Sequence, residues 1–106
     1  MITATFIFKR GNLNSAFYEF DDRIEGIVRE AEGYLGRKKW TDEDGNLAVV
    51  YYWSSLAHLE SFRGNAIHGA AKSRYDEWYE GYRVEVSEVK EVYGDGYFDE
   101  QFPAAQ

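Results

Sequence analysis

The run Leu47-Ala48-Val49-Val50-Tyr51-Tyr52-Trp53 has no polar position. It follows Asp44-Gly45-Asn46, a tight-turn signal, and it is rich in the β-branched and aromatic residues that favour strands. In a strand, alternate side chains point to opposite faces. Leu47, Val49, Tyr51 and Trp53 then lie on one face and Ala48, Val50 and Tyr52 on the other. Both sets are apolar, so both faces of the sheet that holds this strand must be covered. Residues 2–8 agree. Ile2, Ala4, Phe6 and Phe8 share one face, and Ile7 lies between Thr3, Thr5 and Lys9 on the other.

The rest of the chain supplies cover for one face only. Gly11-Asn12 and Asn14-Ser15 are turn and helix-start residues. Phe17, Phe20, Ile24, Ile27, Val28 and Ala31 recur at spacings of three and four, which predicts an amphipathic helix over 15–32. Gly33 is placed to stop it in the left-handed conformation. Residues 34–41 form the second strand, paired in a hairpin with 47–53. Ser54-Ser55 caps a short helix carrying Leu56, Leu59 and Phe62. Gly64-Asn65 is a break. Ile67, Ala70, Ala71, Tyr75, Trp78 and Tyr79 predict a further helix to about Glu80. Residues 82–93 close the sheet with Val84, Val86, Val89 and Val92, and the change of parity between Val86 and Val89 predicts a bulge or twist.

The order β-α-β-β-α-β is that of a ferredoxin-like α+β sandwich, an antiparallel sheet with helices on one face. A second copy is the economical cover for the other face, which predicts a symmetric homodimer with facing sheets. Residues 1–93 make one domain. Residues 94–106 read as a tail whose Tyr97, Phe98 and Phe102 dock on an apolar surface, with the partner subunit as one candidate.

Composition narrows the function classes. The 19 aromatic residues outnumber the 17 Ile, Leu and Val together, which argues against disorder. The net charge is −7, and Asp76–Glu100 alone carries it, with nine acids against Arg83 and Lys90. A nucleic-acid partner normally needs a basic face, so none is expected. No apolar stretch is long enough for a membrane span, and the N-terminus shows no basic-then-apolar leader, so the expectation is a cytoplasmic protein without a membrane partner. There is no cysteine, hence no thiolate metal site. His58 and His68 do not make a recognised metal spacing. No nucleophile elbow, phosphate-binding glycine loop or dinucleotide fingerprint is present.

Three segments in order carry a resemblance. Ala31-Glu32-Gly33-Tyr34-Leu35-Gly36 spans a helix-to-strand junction. Tyr52-Trp53-Ser54-Ser55-Leu56, with Leu59 and Phe62, reads as a tryptophan, a short helix and an aromatic. Asn65-Ala66-Ile67-His68-Gly69-Ala70-Ala71-Lys72 reads as a histidine-bearing helix start. Over residues 2–93 the chain resembles the antibiotic biosynthesis monooxygenase superfamily, the dimeric α/β barrels. The resemblance implies a compact homodimer with a pocket between sheet and helices in each subunit. It also implies activities such as cofactor-free oxygenation of quinols and polyphenols, or oxygenation of the heme ring. Heme-degrading relatives carry an asparagine in the first strand, a tryptophan in the short helix and a histidine in the next. Here no asparagine lies between Ile2 and Arg10, the short-helix aromatic is Phe62, and only His68 matches.

His68 is the candidate catalytic residue. Its imidazole can bind a phenol, act as a base near neutral pH or ligate heme iron; equally, it can satisfy backbone groups at a helix kink. Trp53, Phe62, Tyr75 and Trp78 are the candidate substrate-binding residues, and the Trp53 indole N–H can orient a substrate oxygen. The same aromatics can serve as plain core. Cofactor-free oxygenation asks for a site that excludes water, holds an aromatic ring flat and takes up a proton. Two classes therefore stand side by side: a small monooxygenase that needs no metal or flavin, and a non-catalytic dimeric module that binds a small aromatic molecule or acts as an accessory or stress protein. An RNA-recognition domain shares the element order and stacks bases on third-strand aromatics, but its basic-Gly-aromatic signature is absent.

Overall fold

In a computed structural model of the chain, residues 1–10, 15–64 and 79–104 are described. They form β1 (Ile2–Arg10), α1 (Ser15–Val28), β2 (Tyr34–Thr41), β3 (Leu47–Trp53), α2 (Leu56–Arg63) and β4 (Tyr79–Glu88). The four strands make one antiparallel sheet in the order β2-β3-β1-β4. This is the ferredoxin-like α+β arrangement.

Register fixes the two faces. Ile2, Ala4, Phe6 and Phe8 stand opposite Trp53, Tyr51, Val49 and Leu47. On the other side of β1 they stand opposite Glu88, Val86, Val84 and Tyr82. Tyr34, Arg37, Lys39 and Thr41 of β2 complete this face through Trp53, Tyr51, Val49 and Leu47. The core lies on it: Ala4, Val28, Trp53 and Leu59 are buried together, with Ile2, Ala31, Tyr34, Tyr51 and Phe62 packed around them. Phe8 and Val49 are buried on the same face, and the Phe8 ring sits 6.5 Å from that of Phe17 on α1. The opposite face carries Thr3, Thr5, Ile7, Ala48, Val50, Tyr52, Lys38 and Trp40.

β2 and β3 have the ends that the sequence predicts, and four boundaries differ, the first being β1, which runs on to Arg10 and not to residue 8. α1 ends at Val28 and not at residue 32, and tighter backbone bonds from Ala31 to Val28 and from Tyr34 to Ala31 carry the chain to β2. Gly33 then turns it at φ +81°. Tyr79 and Glu80 belong to β4 and not to a helix, since Tyr79 pairs with Arg10. β4 ends at Glu88, not at 93. Its one irregularity lies opposite Lys9/Arg10 and not between Val86 and Val89. The parity change in the valines reflects the end of the strand: Val89 makes one bond to the Met1 carbonyl, and the chain then leaves the sheet.

The tail returns to the outer face of its own chain. The Phe102 ring stacks on Trp40 at 6.3 Å and 15°, and Lys38 Nζ sits 4.6 Å from the Phe102 centroid. Phe98 meets Phe102 edge-on. Among the described residues no helix is long and apolar enough to cross a membrane.

Candidate functional site

Trp53 closes β3 on the core face and is 1% exposed. Tyr34 meets its ring edge-on at 5.6 Å, and Phe62 of α2 lies tilted against it at 5.4 Å. Sequence places Trp53 and Phe62 in one site, and the structure brings them together. The other three sequence candidates, His68, Tyr75 and Trp78, lie outside the described residues. The Trp53 indole N–H is buried and donates to nothing among the described residues. A buried donor costs free energy until an acceptor meets it.

Beside this aromatic group, α1 covers a polar cluster on the same face. Arg37 Nε lies 2.7 Å from Glu25 Oε2, close but not aligned as a hydrogen bond. Asp21 lies 3.6 Å from Arg37 Nη1 and 3.5 Å from Lys39 Nζ, and Arg29 Nε donates to Glu25 Oε1 at 3.1 Å, so two carboxylates face three cations. Arg37 stands directly across from Tyr51 in the hairpin. Burial alone would lower the Arg37 pKa, but the Tyr51 hydroxyl and the two carboxylates hold it above its ordinary value. Burial pushes the Tyr51 phenol up, against the pull of Arg37. Burial, with the Glu25 carboxylate, pushes Tyr34 up to about 12. Arg37, Tyr34 and Tyr51 are absent from the sequence-level site. The alternation of β3 puts Tyr51 on the Trp53 face, which was readable; that Arg37 sits across from Tyr51 needed the register of the hairpin, including its irregularity at Tyr34/Gly36.

A second feature is an open cleft of about 450 Å³ between the end of α1 and α2. Ile27, Glu30 and Glu32 line one side, and His58, Ser61 and Phe62 the other. Ser55 caps α2, accepting the His58 backbone N–H. The same histidine ring folds back, with Nδ1 2.7 Å from Ser55 Oγ and 3.0 Å from Ser54 Oγ. Nε2 faces Glu32 at 3.8 Å across the mouth of the cleft. Phe62 is therefore shared: it lines the cleft and also packs on Trp53. Among the described residues no group of three or more histidine or carboxylate side chains is placed to hold a metal ion.

No protein-family model matches the chain. A Bacillus subtilis protein of uncharacterised function, YqjZ, is 30% identical over 77 residues, covering 72% of this chain and 68% of YqjZ. Several solved structures share the fold. A candidate antibiotic biosynthesis monooxygenase from Deinococcus radiodurans superposes with a TM-score of 0.73 at 13% identity, covering 89% of this chain and 97% of that one. Rv0793 from Mycobacterium tuberculosis gives 0.72 at 17%, covering 88% and 98%. SnoaB from Streptomyces nogalater, described as a cofactor-independent oxygenase, gives 0.71 at 8%, covering 86% and 94%. The chain shares its fold with these solved structures, and it belongs to the same family as YqjZ.

Proposed function

We propose that the protein is a small monooxygenase that oxidises an aromatic, quinol- or polyphenol-like substrate without a bound metal or flavin. The observation that carries this reading is the buried Trp53 N–H, unpartnered among the described residues and walled by Tyr34 and Phe62. In such a site the substrate loses a proton, and its electron-rich anion passes electrons directly to dioxygen. The protein's part is to exclude water, hold the ring flat and stabilise the negative oxygen, for which an indole N–H in a dry pocket is suited. That SnoaB, with the same fold, is described as a cofactor-independent oxygenase supports the assignment. The substrate proton goes to His68. Tyr34, with its pKa near 12, cannot serve as the base near neutral pH. The active unit is a cytoplasmic homodimer in which the outer sheet faces, with Val50, Tyr52 and Ile7, meet.

Oxygen uptake with a panel of quinols and polyphenols tests the reading. Turnover is expected with at least one, and Trp53→Phe should lower kcat/KM by about ten- to hundredfold, as for loss of a hydrogen bond to a charged group. His68→Ala should abolish uptake near pH 7. Consumption of no oxygen with any compound would leave the non-catalytic alternative, a module that binds a small aromatic molecule. A specific observation keeps that alternative in view: the aromatic packing of Tyr34 and Phe62 on Trp53 suits the binding of an aromatic ring with or without turnover.

A further inference from the structure

We propose that the cleft between the end of α1 and α2 is a second binding site, for a small organic cation with an apolar body, and that Gly26 keeps it open. The site goes beyond the reading above. It shares Phe62 with the Trp53 group, but its ligand is opposite in charge to the anion that a quinol forms.

The lining sorts by chemistry. Gly26, Ile27 and Phe62 supply apolar wall, and Glu30, Glu32 and His58 supply polar rim, around a space of about 450 Å³. That volume is within the range of small-molecule pockets. Among the described residues the lining holds two carboxylates and no lysine or arginine. Arg29, near both in sequence, is turned to Glu25 at 3.1 Å. The Glu32 side chain is 93% exposed and faces His58 Nε2 at a long 3.8 Å, so it can swing onto a ligand. A rim of this charge attracts an ammonium group and repels a phenolate or carboxylate.

Gly26 is an independent observation. It lies inside α1 (Ser15–Val28), where glycine is the least favourable residue after proline. The backbone does not require it, since Gly26 is not among the glycines of positive φ. Packing does not require it either: a Cβ built there meets no atom within 4 Å among the described residues. What a side chain at this position would occupy is the cleft, which Gly26 lines. The helix therefore gives up propensity at the cleft wall, and the space stays open for a ligand.

The test is titration of the full chain at low salt and pH 7.5, followed by calorimetry, with 2-phenylethylamine, 2-phenylethanol and 3-phenylpropanoate as probes. Wild type should bind the amine about three- to tenfold more tightly than the alcohol, the range for two exposed ion pairs, and the carboxylate more weakly than either. Glu30→Gln with Glu32→Gln should bring the amine down to the affinity of the alcohol. Glu43→Gln makes the same kind of charge change in the hairpin turn, about 25 Å of strand away, and should alter nothing. Gly26→Leu should weaken the amine and the alcohol alike by at least about tenfold, and Gly26→Ala by less, while the urea midpoint is kept or raised in both. Equal affinity of wild type for amine and alcohol overturns the proposal, as does binding of neither. Undiminished binding by a folded Gly26→Leu overturns it too. Should Gly26→Leu fail to fold, loss of the amine preference in the double glutamine variant, with Glu43→Gln unchanged, still supports the site, and its persistence overturns it. None of these outcomes depends on oxygen uptake or on His68, so the oxygenase reading stands or falls separately.

Discussion

Gly33 and His58 are packed so closely that Gly33 has no room for a side chain: a Cβ there would run into the imidazole ring. The backbone at Gly33 is also left-handed, φ +81°, and its carbonyl accepts the Ser54 N–H at 2.8 Å. The turn from α1 into β2 is thereby fastened to the start of α2. Gly33→Ala should cost about 2–4 kcal/mol in urea unfolding, combining left-handed strain with overpacking. In a His58→Ala background the ring is gone and only the backbone strain remains, so the same change should cost about 1 kcal/mol. Equal costs in the two backgrounds would show that the ring contact does not matter.

Tyr34 makes stability depend on alkaline pH. Its phenol ionises near 10 when unfolded and near 12 in the fold, where burial and Glu25 oppose the charge. Between these values the folded chain keeps a proton that the unfolded chain has lost. The contribution is complete below about pH 10 and falls as pH rises through 10 to 12. Tyr51 and Tyr52 are raised by burial and act in the same direction. Urea midpoints taken from pH 8 to 11.5 should fall, and Tyr34→Phe should fall less steeply. Parallel curves would assign the loss to other groups.

Sheet and face were legible from β3 because seven apolar residues in a row leave little choice of structure, and alternation then sorts them. Helix ends were less legible. The apolar stripe continues through Ala31, but the backbone tightens after Val28, and a stripe records which side faces the core rather than where the hydrogen bonds change. That Trp53 and Phe62 lie near each other was legible because both are large aromatics near a cap. Arg37 was not, because a basic residue in a run with Lys38 and Lys39 reads as solvated surface until pairing shows that it faces α1. His58 was set aside as a metal ligand, and its role with Ser54, Ser55 and Gly33 came only from geometry.

The Ser55 cap should be worth about 1 kcal/mol. Its hydroxyl accepts the His58 backbone N–H at 3.3 Å and also meets the His58 ring at 2.7 Å. Ser55→Ala removes both, and the expected loss in urea unfolding is about 0.5–2 kcal/mol. Ser55→Asp keeps an acceptor for the backbone and should recover most of it. Because α2 carries Phe62 against Trp53, Ser55→Ala should also weaken binding of an aromatic probe, and Ser55→Asp should restore it. Unchanged binding in a destabilised Ser55→Ala would separate the cap from the site.

The tail should be held by Phe102. Its ring stacks on Trp40, lies under Lys38, and is followed by Pro103, which packs against Gly36. Tyr93 and Tyr97 are largely exposed, 87% and 74%, so most of the tail's other aromatics do little to anchor it. Phe102→Ala should cost about 1 kcal/mol, given an exposed stack with one cation over it. It should also make the tail a faster substrate for limited proteolysis and shift Trp40 emission to the red. Tyr93→Ala, as control, should change neither. If Phe102→Ala leaves proteolysis and emission unaltered, the stack does not hold the tail in solution.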